Sequence, residues 1–299
     1  SLLIVGFIVF VIGSRIVSDS VIREVNGRTW LAQRMTSIGP WEMTFGKLFG
    51  SNVYSWYSAL FGIIAYIIAA IFLPNTLEEL KFLFLILMIG LFVHTVILLM
   101  SFIGIRRSNY TNKIHSTVYF IIGLLLTAII LDYVFSIHDS QQIIAIKWFV
   151  FKLALSDFLI FSAIFFTVWA IIGLYRSLRT ELHLNNGPLA WILFQISLMV
   201  YFSGFISNIN ALSANEAILI DLYISYLIAI LVTYFMAFNE PKNIVNFRLL
   251  FINFKERNWK RLRSMIPIWI VSLVLTVLIA IAIALYTLFG SELDFLKSI

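Results

Sequence analysis

Residues 82–105, FLFLILMIGLFVHTVILLMSFIGI, carry no charged side chain. At ~1.5 Å per helical residue such a stretch matches the ~30 Å hydrocarbon core of a bilayer, so it reads as a transmembrane helix. Six more runs of similar character lie at 53–73, 114–137, 158–175, 189–206, 218–238 and 266–289. An eighth, 2–17, is apolar only over 2–12 before Gly13, Ser14 and Arg15, and reads as a span cut short, with residues upstream of Ser1 removed. The expected fold is all-α: a polytopic membrane helix bundle of about 8 spans with interfacial helices, forming one transmembrane domain over 1–299. Composition agrees: 61% of the 299 residues are hydrophobic, 12% are charged, and mean hydropathy is +0.98.

Basic residues set the expected orientation. Of the 21 lysines and arginines, all but Lys81, Lys147, Lys152 and Lys297 fall in segments 15–47, 106–113, 176–181 and 240–263, which alternate with the remaining loops. Those four segments are therefore expected in the cytoplasm, in a multi-pass protein of a bacterial inner membrane. The formal charge of +6 is accounted for by this asymmetry and does not point to nucleic acid. With no cysteine and no HExxH pattern, a thiol nucleophile, a disulfide scaffold and the common zinc frames are excluded.

The cytoplasmic segment 23–50, REVNGRTWLAQRMTSIGPWEMTFGKLFG, is too polar to span and too rich in Trp, Met and Phe for a solvated linker. Trp30, Leu31, Met35 and Ile38 recur at helical offsets, with Arg28 and Arg34 between them. Gly39-Pro40 ends that helix, because proline lacks an amide proton and disfavours helical geometry before it. A second helix from Trp41-Glu42 should run through Lys47 into the next span.

Glu24, Gly27, Arg28 and Thr29, the turn Gln33-Arg34-Met35, then Pro40-Trp41-Glu42 and Gly46-Lys47-Leu48 resemble the cytoplasmic signature of ABC transporter permeases of the second exporter type. In that family the segment is a coupling helix seated in a cleft of the ATP-binding subunit. The resemblance implies a permease subunit of an exporter, with Glu24, Arg28, Thr29, Trp30, Arg34, Met35, Pro40, Trp41, Glu42 and Lys47 at the partner interface. It also implies a cytoplasmic ABC ATPase as partner, ATP and Mg on that ATPase with no cofactor on this chain, and a second permease copy. Arg28 intervenes between Gly27 and Thr29, and seven spans follow the signature where compact family members have four. The alternative is an amphipathic helix that only anchors the loop to lipid headgroups.

Gly46-Lys47 is not a phosphate-binding loop. Gly39 precedes Gly46 by seven positions, and Leu48 stands where the metal-binding hydroxyl belongs. Any ATP must bind another polypeptide, and the chain itself is not expected to be an enzyme. Arg176-Ser177 and Gly187-Pro188 repeat the spacing of Arg28-Thr29 and Gly39-Pro40, which leaves open a second ATPase contact or an ordinary loop. Segment 240–265 interleaves aromatic with basic residues and reads as an amphipathic helix pair among membrane lipids.

Within the spans, His94 and Gln195 are candidates for a transport path or for hydrogen bonds between helices. Asp132, Asp157 and Asp221 lie near outer span ends and are candidates for an outward vestibule. A membrane-embedded enzyme using His94 with an aspartate, and a non-transporting scaffold, are the rival functions. The aromatic stretch around Trp148, with Lys147 and Lys152, is expected at the outer headgroup level.

Overall fold

The computed structural model describes residues 2–36, 38–107, 115–140, 145–206, 214–240 and 244–297. Apart from one two-stranded hairpin the described chain is helical, and seven of its helices are long and apolar enough to cross a membrane. The protein is a multi-pass membrane protein with an all-α bundle architecture.

The first span is not short. Leu2–Asn26 forms one 25-residue helix, built from α1 (Leu2–Gly6), a π-helical turn over Phe7–Gly13 and α2 (Ser14–Asn26). Its polar second half survives burial through local bonds: Ser18 and Ser20 donate to backbone carbonyls three residues back, and Asp19 pairs with Arg15 and Arg23. Two short helices follow, α3 (Thr29–Arg34) and α4 (Pro40–Phe45), the second continuing into a π-helical turn over Gly46–Gly50. The spans α5 (Val53–Ile71), α6 (Thr76–Arg107), α7 (Ser116–Ser140) and α8 (Leu155–Glu181) come next.

The chain divides into two compact units, Ser1–Ile144 with Ala154–Leu184, and Ala145–Leu153 with Asn185–Ile299. In the first, α6 is the most deeply buried span. It is hydrophobic all round, as a helix surrounded by other helices must be. Val93, Ile97, Leu98, Phe102 and Ile105 of α6 form the core with Val17 and Val21 of α2 and Leu174 and Leu178 of α8.

The second unit holds strands β1 (Ala145–Trp148) and β2 (Phe151–Ala154), then α9 (Leu189–Ser203), α10 (Ala214–Asn239), α11 (Ile244–Lys255), α12 (Trp259–Met265) and α13 (Ile268–Lys297); only the last residue of β2 falls outside it. Trp191 donates to Ser272 Oγ at 2.8 Å, and Thr233 meets Thr276 at 3.0 Å, tying α9 and α10 to α13. The run 189–206 yields a helix of only 15 residues, about 22 Å long and short of a full crossing. Trp148 explains where it stops. The indole donates to the Tyr201 carbonyl at 3.0 Å, and the Phe149 amide donates to the Gly204 carbonyl at 3.0 Å. A Cβ at Gly204 would lie 2.0 Å from Trp148 Nε1, so only glycine fits beneath the hairpin. Of the expected seven spans after segment 24–50, six are full length and the remaining one is this shorter helix.

Candidate functional site: the helical segment 24–50

Within segment 24–50, α4 opens at Gly39-Pro40 as the sequence suggests, but α3 ends at Arg34, short of the helix through Ile38 that the apolar spacing suggested. Gly39 is extended, with φ −67° and ψ 152°, Pro40 opens α4, and the Glu42 carboxylate accepts the Gly39 amide at 3.0 Å. This satisfies one of the donors that every helix N-terminus leaves unpaired.

The segment has two faces. On the inner one, Trp30 is 1% exposed, packed against Phe102 of α6 with ring centroids 5.4 Å apart. Met43, Thr44 and Leu48 are buried on the same side. Trp30 is therefore corrected from an expected partner contact to a core residue, because its ring is spent inside this chain. Lys47, in the π-helical turn, ion-pairs with Glu24 at the end of α2 and donates to Gln33 Oε1 at 2.8 Å. Its ammonium also sits 5.5 Å from the Trp30 ring centre. Glu24 and Lys47, expected at the partner interface, instead brace the segment from within.

The outer face is apolar and open. Met35 is 89% exposed, Leu31 57%, and Ile38 and Trp41 are exposed beside them. Arg28, Thr29 and Glu42 are exposed along the same segment. Arg28 takes φ 60°, the left-handed region that side-chain-bearing residues adopt at a cost. Arg34 is turned toward α8, where its guanidinium donates to His183.

Tyr175 and His183 belong to this site although sequence reasoning placed them only in a possible second contact. Trp41 stacks on Tyr175, and Arg179 lies 5.8 Å over the other ring. Arg176-Ser177 does not start a short helix as Arg28-Thr29 does. It lies within continuous α8, so the spacing echo is not a structural repeat. At the same end of α8, Arg106 pairs with the buried Glu181 at 3.2 Å and donates to the Ser177 carbonyl at 3.2 Å, fastening α6 to α8.

Inside the first unit lies a polar cluster. His94, fully buried in α6, donates from Nε2 to the Val9 carbonyl at 2.9 Å, and its Nδ1 accepts from Asn52 Nδ2 at 3.1 Å. Ser55 donates to the Ile8 carbonyl at 3.0 Å. Both carbonyls lie in the π-helical turn Phe7–Gly13. A Cβ on Gly13 would lie 2.8 Å from Ser55 Oγ and 2.9 Å from His94 Nε2, so glycine lets the cluster close. With both ring nitrogens used on helix contacts and no carboxylate among its partners, His94 is placed as a packing group.

Gln195 is buried in α9 of the second unit, and its amide has no hydrogen-bond partner among the described residues. Asp157 pairs with Lys81 at 2.8 Å, while Asp132 is exposed. A cleft of about 390 Å³ in the first unit is lined by Glu78, Glu79, Lys81 and His138 and not by the aspartates. Among the described residues no three His, Asp or Glu side chains converge as metal ligands. No protein-family model, no curated protein and no solved structure matches this chain.

Proposed function

We propose that this chain is the membrane-spanning permease subunit of an ATP-driven ABC transporter, an exporter of the bacterial inner membrane. Its segment 24–50 docks a separate cytoplasmic ATPase that holds ATP and Mg, and a second permease copy completes the assembly. The observation that carries this reading is the two-faced segment: an inner face locked by Trp30 and Lys47 and an outer face offering Leu31 and Met35 to water. A helix that only anchors a loop to lipid does not need a partly buried ion pair to hold its orientation. A docking element does, because force delivered by a partner reaches the spans only through a rigid support.

The path for that force runs from α4 through Trp41 on Tyr175 to α8, and through Arg106 and Glu181 to α6. Nucleotide-driven closure of the ATPase would shift the populations of two arrangements of these spans.

The test replaces the outer face and spares the inner one. Leu31→Asp with Met35→Asp, in a chain shown to insert normally, is expected to lose co-purification of the proposed cytoplasmic ATPase and to lose nucleotide-dependent transport. Retention of both by the double variant overturns the docking assignment. Trp30→Ala is the contrasting variant, expected to lower thermal stability by about 3–5 kcal/mol as a core truncation.

A further inference from the structure

We propose that the α11–α12 hairpin of the second unit is a binding surface for acidic phospholipid headgroups. Three observations converge on a lipid occupant.

The first is the tether. α10 and α13 contain membrane spans, and α11 starts five residues after the end of α10 while α12 ends three residues before α13. At about 3.5 Å per extended residue the longer connection reaches no more than about 17 Å, so the hairpin stays near the headgroup layer. A clasp shortens it further. The Glu240 carboxylate accepts the Ile268 amide at 3.2 Å and the Trp269 amide at 3.1 Å, joining the end of α10 to the first turn of α13. Phe247 of α11 meets Trp269 at 6.5 Å, and Asn253 donates to Met265 Sδ at 3.5 Å, which fixes how the hairpin is turned.

The second is the face left outward. Asn253 and Leu262 are buried on the inner side. Ile244, Arg248, Phe251 and Lys255 follow an i, i+4, i+7, i+11 spacing and share the opposite side of α11, all exposed. Apolar and cationic side chains alternate there, and Ile252, Phe254 and Trp259 are exposed around them. Water does not favour that many exposed large apolar groups, while the boundary between acyl chains and phosphates accepts both kinds of side chain.

The third is charge. Arg248, Lys255, Arg257 and Arg261 are exposed on the hairpin, against Glu256 alone among its exposed acidic residues. The complement is an anionic surface at headgroup depth, which acidic phospholipid supplies.

The experiment uses the full chain, which has no native cysteine. Ile252→Cys, beside the outward face, is labelled with bimane and reconstituted in nanodiscs of phosphatidylcholine with increasing phosphatidylglycerol, some carrying doxyl-labelled lipid. The expected result is a blue shift and doxyl quenching that grow with phosphatidylglycerol and weaken as NaCl rises. In Arg248→Gln with Lys255→Gln, the apparent affinity for phosphatidylglycerol is expected to fall by about fivefold per cation removed. The salt titration needs no charge variant, so it decides even if that variant fails to fold. Equal emission and quenching in neutral and anionic discs, with no salt dependence, overturns the proposal. A matching response in neutral discs to inorganic phosphate alone, or to a single-stranded RNA oligonucleotide, overturns it in favour of a free anion or a nucleic acid. The outcome is independent of whether an ATPase docks on segment 24–50.

Discussion

Trp41 lies flat on Tyr175, with ring centroids 4.0 Å apart and 13° between the planes. This stack joins the short helix α4 to the C-terminal part of the span α8. Stacked aromatic pairs contribute about 0.5–1.5 kcal/mol beyond the area they bury. A double-mutant cycle with Trp41→Ala and Tyr175→Ala, read by thermal unfolding in detergent, is expected to return a coupling in that range. Under the proposed function, Tyr175→Ala retains the ATPase yet lowers transport per ATP hydrolysed, since the outer face is intact and the link behind it is not. Full transport efficiency in that variant would remove the stack from the force path.

Arg28 separates fold from function by sign. Its φ of 60° is a conformation glycine adopts freely, so Arg28→Gly is expected to raise stability by up to about 1 kcal/mol. The same change deletes an exposed cation from the proposed docking face. Stability should rise while ATPase association falls, a combination that a residue serving only the fold does not give. Tm and co-purification measured on one preparation check both halves.

The spans were legible because twenty uncharged residues in a row have few alternatives in a folded chain. The start of α4 at Gly39-Pro40 and the helix pair in 240–265 were legible because proline chemistry and amphipathic spacing act locally, whereas the end of α3 at Arg34, well before α4 begins at Pro40, was not. The direction in which α3 faces was not. Trp30 and Met35 are both large and lie at helical offsets, and only the positions of Phe102 and Lys47, distant in sequence, decide that Trp30 turns inward. Asn52 and Ser55 escaped notice for a similar reason. Their partners are backbone oxygens of Ile8 and Val9, directly or through His94, which no side-chain pattern reveals. The shortening of the run 189–206 depends on Trp148, a hairpin residue more than 50 positions from Gly204.

The buried cluster around His94 predicts a stability effect. His94→Phe leaves the Val9 carbonyl and the Asn52 amide without their partner inside the bundle, at about 1–3 kcal/mol. Gly13→Ala drives a methyl group into the same three side chains, and overpacking of this kind costs about 1–3 kcal/mol. Because both changes strike one cluster, their combination should cost less than the sum of the two. Thermal unfolding of the two single variants and the double variant provides the check. Strict additivity would mean the two sites are not coupled, and loss of transport in a stably folded His94→Phe would return His94 to the transport path.

The final prediction concerns the sides of the membrane. From the charge asymmetry, segment 24–50 is expected in the cytoplasm and the Phe149-Val150 turn outside. Met35 and Val150 are each 89% exposed, so single cysteines at these positions report sidedness without a contribution from burial. The native chain has no cysteine to give background. In intact cells an impermeant maleimide is expected to label Val150→Cys and Asn75→Cys but not Met35→Cys or Asn185→Cys; permeabilised cells should label all four. Labelling of Met35→Cys in intact cells would place its segment outside. No cytoplasmic ATPase could then reach it, and the permease reading would fall with the orientation.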